Sequence, residues 1–174
     1  KLREQDKVDL IVVLSHFGLP QDVKLANEVD GIDIILSGHT HNRMTKPVII
    51  NDTILIQSGC HGSLIGRLDV EVTNGKIQNV KHELIKVSKE IVPDPHVQQL
   101  VDSVLKPNQE MLTKVVGHTN IDLNRYSQLE TTMDNFLLEA LLDVCGAEIA
   151  FSNGWRYGAP IPSGEVTMND LWNI

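Results

Sequence analysis

The sequence predicts an α/β protein in which parallel and antiparallel strands are combined. Two short apolar runs, Val8–Leu14 and Ile32–Leu36, are rich in β-branched residues and flank an amphipathic segment. Such runs are typical of buried parallel strands joined by a helix. An Asn74-Gly75 pair between two alternating segments predicts an antiparallel hairpin. A proline-containing stretch at Pro93–Pro95 then interrupts the pattern, so we expect a second domain after it.

The first strand, helix and strand form a βαβ unit. Its strands are Val8–Leu14, which we expect to be buried on both faces, and Ile32–Leu36. A short helical crossover joins strands that run parallel. Because parallel strands end at the same edge of a sheet, His16 and the turn Gly38–His41 should lie together there. In α/β proteins this is the edge that binds ligands.

The elements that follow complete the first domain. Thr53–Gln57 predicts a third short strand, and Leu68–Val72 with Lys76–Val87 predicts the hairpin. We expect the first domain to span residues 1–92. A linker helix, interrupted at Pro107, should span residues 93–113.

Residues 114–174 predict the beginning of a second domain. Met133–Cys145 has the apolar spacing of an amphipathic helix, for which Thr132 is the expected cap and Gly146 the expected end. Glu148–Phe151 predicts a short strand that enters the loop Ser152–Gly158.

Composition excludes several classes of function. The net charge of −8 leaves no surplus of Lys and Arg for binding nucleic acid or an anionic membrane surface. No run of 18 apolar residues is present, so no membrane span is expected. Cys60 and Cys145 form no Cys-x-x-Cys pattern, and pairing and free thiols both remain open.

Three of the 7 histidines, namely His16, His39 and His41, lie in the short segments at the ends of predicted strands. Neutral imidazole is the most common ligand for transition metals in proteins, and Gly38 allows a tight turn before His39 and His41. The alternative is three unrelated surface histidines on loops. Their convergence at one sheet edge favours a metal site.

The segments around these histidines resemble the last two metal motifs of the calcineurin-like metallophosphoesterases, specifically of their 5′-nucleotidase branch. The two segments are VDLIVVLSHFG at residues 8–18 and GIDIILSGHTHN at residues 31–42. The resemblance continues in the same order through Gln57–Gly59, Gly66–Asp69, Glu130–Asn135, Gly146–Gly154, Ile161–Gly164, Thr167 and Asp170-Leu171. It therefore covers most of the chain.

This resemblance implies the C-terminal half of the family's sandwich of mixed sheets flanked by helices, followed by an incomplete second α/β domain. It implies two divalent metal ions (Zn, Mn or Fe), with His16 and His39 on one ion and His41 on the other. A hydroxide activated by both ions would hydrolyse a phosphate ester in a small anionic substrate such as a nucleotide. A periplasmic or extracellular location is also implied.

Other parts of the family's metal site have no counterpart in the expected place. The family's Asp-x-His, Gly-Asp and Gly-Asn-His motifs precede the part that matches here. Asp94-Pro95-His96 has the letters of the first motif but reads as linker, and Gly117-His118 reads as a structural turn. We therefore expect a partner, the N-terminal half of the catalytic domain, to supply the catalytic residues. The chain alone is expected to be inactive.

The loop from Asn153 to Gly158 departs from the family's Asn-Gly-Gly-Gly-Ile-Arg. We predict that Asn153, Arg156 and Tyr157 bind the substrate, with Arg156 holding its anionic group. A surface arginine packed on a neighbouring aromatic ring is the alternative. Arg125 lies earlier than the family's own arginine, so no role is carried over to it.

This loop is more similar to that of the thiohydrolases of bacterial sulfur oxidation, which belong to the same branch. A thiosulfohydrolase acting on a thiosulfonate carried by a protein is therefore an alternative function. A non-catalytic module that binds an anion is a third. For His61 a structural loop role is favoured over a contact with the metal ligands or the substrate. Cys60 is also expected to be structural.

Overall fold

The computed structural model describes residues 1–127, 129–154 and 158–174. It divides into two compact units, residues 1–92 and 93–174. The first unit contains β1 (Val12–Ser15), α1 (Leu19–Glu28), β2 (Ile34–Ser37), β3 (Val48–Ile50), β4 (Thr53–Ile56), β5 (Leu64–Thr73) and β6 (Lys76–Lys86). The second contains α2 (Pro95–Leu105), a 3₁₀ turn (Lys106–Asn108), α3 (Gln109–Leu112), β7 (Val115–Thr119), α4 (Thr132–Cys145), β8 (Gly164–Thr167) and α5 (Met168–Trp172). This mixture confirms the predicted α/β class.

Four strands of the first unit form one sheet in the order β1-β2-β4-β3. β1 and β2 are parallel, as the βαβ unit predicts, and their last residues, Ser15 and Ser37, are direct neighbours across the ladder. β4 continues the parallel arrangement, whereas β3 runs antiparallel to β4. The sequence analysis missed β3, which is only 3 residues long.

The sheet is covered on both faces, which gives the first unit three layers. Helix α1 packs on one face around a core of Ala26, Ile35, Met44 and Leu55. The hairpin of β5 and β6 packs on the other face, where its apolar side chains meet Ile34, Ile54 and Ile56. Alternate residues of β2 and β4 therefore enter opposite cores, which is why both strands read as continuous apolar runs.

The first strand is shorter and more exposed than expected. Val8–Leu14 was predicted as a strand buried on both faces, but β1 begins only at Val12, and Leu14 is 80% exposed. The reason is that β1 lies at the edge of the four-stranded sheet. Val13 packs against the core beneath α1, while among the described residues no layer buries Leu14.

The second unit is built on helix α4 and the antiparallel pair of β7 and β8. Its core consists of Leu123, Met133, Ile161 and Val166. The predicted strand Glu148–Phe151 is wrong, since this segment has no regular structure and Phe151 is 87% exposed. β7, β8 and α5 were not predicted. The turn expected at Gly117-His118 is wrong, because both residues lie in β7 and pair with β8.

The ends of α4 follow simple capping chemistry. Gly146 adopts the left-handed conformation (φ 59°) and ends the helix as predicted. The cap at its start is Thr131 rather than the expected Thr132, because the Thr131 hydroxyl accepts a hydrogen bond from Asp134 N at 3.0 Å. In the described part of the chain, no helix has both the length and the apolar character needed to cross a bilayer.

Candidate metal centre

The βαβ unit brings His16 and His39 together at the carboxyl ends of β1 and β2. His16 directly follows Ser15, and His39 follows Ser37 and Gly38, so their positions are fixed by the register of the two strands. The centroids of the two imidazole rings are 5.0 Å apart and the ring planes meet at 64°. Two ring nitrogens at this separation can reach a common ion after small side-chain rotations.

Gly38 makes this approach possible. A Cβ atom at residue 38 would lie 3.1 Å from His16 Nδ1 and 3.3 Å from the carbonyl oxygen of Ser15. Any larger residue would therefore push His16 away from the end of β2. Gly18 plays a similar part from the other side, since a Cβ there would lie 2.8 Å from Thr40 Cγ2.

Asp22 links the ends of β1 and β2 through hydrogen bonds. Its side chain is completely buried, at 0% exposure, in the first turn of α1. Its two carboxyl oxygens accept hydrogen bonds from the hydroxyls of Ser15 and Ser37, both at 2.5 Å. These serines immediately precede His16 and Gly38, so Asp22 sets where both histidine-bearing turns begin.

Gln57, which follows β4, holds the turn after β2. It is 2% exposed, and its Oε1 accepts hydrogen bonds from Asn42 N at 2.5 Å and from the Thr40 hydroxyl at 3.2 Å. Its Nε2 donates to the carbonyl oxygen of Gly38 and to the Ser37 hydroxyl. One amide side chain therefore fixes the whole turn that carries His39 and His41.

The sequence analysis assigned no role to Asp22, and Gln57 appeared only as the last residue of a predicted strand and in a matching segment. One signal was visible for each residue. Asp22 is an acidic residue on the helix between two predicted strands that are each followed by a serine, and Gln57 is a polar residue at the end of a predicted apolar strand.

A second pair of histidines lies beside the first. The ring centroids of His41 and His61 are 5.7 Å apart. Cys60 completes a cluster with them, in which the ligand atoms of all three side chains lie within 4.8 Å of one another. His61 and Cys60 were expected to be structural, and the structure places both next to a predicted metal ligand.

The surroundings of His41 favour its neutral form. Burial lowers the pKa of His41 below its usual 6.5, and the positive charges that His61, His39 and His16 would carry lower it further. A metal ion requires the neutral imidazole. At neutral pH His41 is therefore in the form that binds metals.

The chemistry of these donors fits a divalent transition metal. Imidazole nitrogen and thiolate suit zinc and related ions, whereas magnesium and calcium prefer oxygen ligands. The turn also carries Asn42, whose Oδ1 is buried and has no hydrogen-bond donor among the described residues. Such an acceptor ordinarily has a partner, so a cation near this turn is compatible with it.

The predicted substrate residues belong to the second unit. Asn153 is exposed and lines a cleft of about 390 Å³ together with Arg125 and Phe151. Arg156 and Tyr157, for which substrate binding was predicted, lie outside the described residues.

Arg125 has a structural role in the second unit. Its Nε and Nη2 donate to Asp134 Oδ1 at 3.0 and 2.7 Å, and the two side chains are only 15% and 7% exposed. The Ser152 hydroxyl donates to the same oxygen at 2.5 Å, and the Thr131 hydroxyl donates to Oδ2 at 2.6 Å. The guanidinium is thus engaged in hydrogen bonds within the second unit.

This network makes the stability of the second unit sensitive to acid. Burial alone would raise the pKa of Asp134, but hydrogen bonds from Ser152, Thr131 and Arg125, with the charge of Arg125, lower it below 3.8. A carboxyl group whose folded pKa is lowered contributes stability above its unfolded pKa, and that contribution disappears as the pH falls through the folded value.

We therefore expect the melting temperature of the second unit to fall when the pH is lowered from 5 to 3, and to fall less in Asp134→Asn, which cannot titrate. Both tryptophans of the chain lie in residues 93–174, so fluorescence follows this unit selectively. An equal fall in the two proteins would show that other carboxyl groups, such as Asp170, dominate. The pKa of Asp170 is lowered by hydrogen bonds from Thr167.

Comparison with known proteins finds relatives along nearly the whole chain. It is 30% identical to the trifunctional nucleotide phosphoesterase YfkN of Bacillus subtilis over 99% of this chain and 13% of that protein. The sulfate thiohydrolase SoxB of Thermus thermophilus superposes with a TM-score of 0.87 and 29% identity, covering 95% of this chain and 31% of SoxB. A 5′-nucleotidase precursor from the same species superposes at 0.85 with 23% identity, covering 99% of this chain and 39% of the precursor.

The chain thus spans well under half the length of each of these relatives. No protein-family model matches it. The relatives are nevertheless all named as hydrolytic enzymes or their precursors, and each matches nearly the whole of this chain. The chain is therefore related, over nearly all of its residues, to the C-terminal part of the 5′-nucleotidase branch of the metallophosphoesterases.

Proposed function

We propose that this chain supplies one side of a two-metal site that hydrolyses a phosphate ester in a small anionic substrate, most simply a nucleotide. In this proposal His16 and His39 bind one divalent ion and His41 binds the other. The observation that carries it is the meeting of the His16 and His39 rings, 5.0 Å apart, at the ends of adjacent parallel strands. The names of the relatives, which include phosphoesterases and 5′-nucleotidases, support the general reaction class.

Two divalent ions, when bound, supply positive charge that stabilises the attacking and leaving oxygens of a phosphoryl centre. The residues of this chain hold and orient the ligands for them. Asp22 fixes both strand ends, and Gln57 fixes the turn between Gly38 and Asn42. A preorganised set of ligands of this kind needs little rearrangement when an ion binds.

The exposed edge of the sheet supports the proposal that another polypeptide segment packs against β1. β1 is the outer strand, and Leu14 and Phe17 beside it are 80% and 67% exposed. We propose that the N-terminal half of the catalytic domain covers this edge and provides the remaining ligands. In the same proposal the first compact unit is the end of the catalytic domain. The second contains the linker, residues 93–113, and the beginning of the second domain, residues 114–174.

In the second domain we propose Asn153, Arg156 and Tyr157 as substrate-binding residues. An exported location, periplasmic or extracellular, is proposed from the resemblance alone.

The test combines sequence, metal analysis and kinetics. The upstream coding sequence is read for Asp-x-His, Gly-Asp and Gly-Asn-His motifs, and the polypeptide that joins them to this chain is assayed against nucleoside monophosphates. We expect about two bound divalent ions and activity that a chelator removes. His39→Ala should lower kcat/KM by more than about 100-fold, because even residues that only support a ligand cost 10–100-fold.

His96→Ala is the matched control, since His96 is exposed in helix α2 and should leave the activity unchanged. Undiminished activity in His39→Ala would contradict the proposal. Absence of the upstream motifs would instead favour the non-catalytic module that binds an anion.

The thiosulfohydrolase is the second candidate. It is favoured by the superposition on SoxB with 29% identity and by the aromatic residues on either side of Arg156 in the sequence. Both proposals place the metal ions on His16, His39 and His41, so the substrate decides between them. Hydrolysis of a peptide cysteine that carries a thiosulfonate, with no turnover of nucleotides, would select this alternative.

A further inference from the structure

The loop after β4 places two additional metal-binding side chains beside His41. Met44 N donates to the carbonyl oxygen of Gln57 at 3.1 Å, and Gly59 N donates to that of Asn42 at 2.9 Å. With the bridge between Arg43 and Ser58, these bonds form a short antiparallel ladder. The ladder holds the backbone at Cys60 against the backbone at His41.

The backbone around this site adopts left-handed conformations at His41 and His61, the two residues whose rings lie close together. His61 has φ 55° and His41 has φ 56°, both in the left-handed region that residues other than glycine seldom occupy. Gly59 and Gly62, at φ 80° and 65°, allow the tight turn on either side. Strain of this kind persists where the surrounding structure enforces it and is concentrated at functional sites.

The result is a compact set of three donors. The thiol of Cys60 and the imidazole nitrogens of His41 and His61 lie within 4.8 Å of one another. Ligands of a tetrahedral zinc ion are about 3.3–3.8 Å apart, from metal–ligand distances of roughly 2.0–2.3 Å. A contraction of about 1 Å, within the reach of side-chain rotation, would close the site.

We propose that His41, Cys60 and His61 form a three-ligand site for a divalent cation of the zinc class, with a fourth position open to solvent. His41 and Cys60 are half-buried and His61 is exposed, so an ion held there would be accessible from one side. Cys60 is a free thiol, and it releases its proton to solvent when it binds the metal. Of the proposed function, this inference uses only the role of His41 as a ligand.

The donors determine the selectivity. A thiolate with two imidazoles favours zinc, cobalt and cadmium over magnesium and calcium. The site at His41, which includes a thiolate, should therefore prefer softer metal ions than the site formed by His16 and His39, whose described ligands are imidazoles alone. The chain would carry two positions of different metal affinity at one sheet edge.

The test is a titration of the 174-residue chain with Co²⁺, followed by ultraviolet and visible absorption. Cobalt bound to thiolate gives a sulfur-to-metal charge-transfer band, which imidazole ligands do not give. We expect this band in the parent chain, displacement of cobalt by Zn²⁺, and no displacement by excess Mg²⁺. His61→Ala should weaken cobalt binding at this site by at least about 10-fold.

The two cysteines of the chain provide a test position, Cys60, and a matched control position, Cys145. Cys60→Ser and Cys60→Ala should each abolish the band, while Cys145→Ser, which changes the exposed cysteine of the second unit, should leave it intact. Far-ultraviolet circular dichroism checks that each variant is folded. A band that survives both replacements of Cys60, or no band with millimolar cobalt, overturns the inference.

The double variant His16→Ala/His39→Ala separates this inference from the proposed function. If it keeps the sulfur band, the cluster of His41, Cys60 and His61 holds its own ion. If cobalt binds without a sulfur band and the double variant loses that binding, the His16–His39 site stands and the present inference fails.

Discussion

Replacement of Asp134 by alanine is expected to destabilise the second unit by about 3 kcal/mol, in line with the cost of removing one partner from a buried ion pair. The carboxylate receives hydrogen bonds from Arg125, Ser152 and Thr131, and its side chain is only 7% exposed. Its removal leaves the guanidinium of Arg125, 15% exposed, without its counter-charge. It also removes the carboxylate that anchors the Thr131 cap of α4.

Urea unfolding followed by tryptophan fluorescence measures this loss, because both tryptophans lie in residues 93–174. Asp143→Ala is the matched control, since Asp143 is an exposed aspartate on the same helix and should cost little. The double variant Arg125→Met/Asp134→Leu should be more stable than Asp134→Ala, because it removes both charges and leaves no buried charge without a partner. Equal stability of Asp134→Ala and Asp143→Ala would show that the ion pair contributes nothing.

The sequence predicted well those elements whose pattern reflects burial on both sides. β2 and β4 lie between two cores, so their apolar runs identified them directly. β1 has the same composition, but its position at the sheet edge leaves Leu14 exposed, and composition does not reveal which neighbour a strand has. The segment Glu148–Phe151 failed for a similar reason, because apolar residues there contact no core.

The part of the candidate site that follows from strand topology was predictable from the sequence. A βαβ unit forces His16 and His39 to the same edge, which the sequence already implied, and the two rings lie 5.0 Å apart. The approach of Cys60 and His61 to His41 was not predictable. It depends on a ladder of two hydrogen bonds and on left-handed backbone conformations that no residue pattern announces. Likewise, the sequence alone does not show that Asp22 turns inward.

Replacement of Asp22 by alanine should disturb both histidine-bearing turns at once. The half-buried hydroxyls of Ser15 and Ser37 would lose an acceptor that is itself fully buried, and each unsatisfied group costs about 1–3 kcal/mol. We expect a total loss of about 2–4 kcal/mol in the stability of the first unit. Because these serines precede His16 and Gly38, metal affinity should also fall, by about 10–100-fold.

Two readouts distinguish a positioning role of Asp22 from simple support of the fold. Hydrogen exchange of β1 and β2 reports the stability, and Zn²⁺ titration of folded protein reports the arrangement of the ligands. Asp22→Asn retains one acceptor oxygen and should give intermediate metal affinity, whereas Asp30→Ala, at an exposed aspartate just after α1, should match the parent chain in both. Should Asp22→Ala lose stability but bind zinc as tightly as the parent chain, Asp22 would support the sheet without positioning the histidines. In that case the register of β1 and β2 alone would hold the His16–His39 pair in place, because the ladder that aligns Ser15 with Ser37 does not involve the side chain of Asp22.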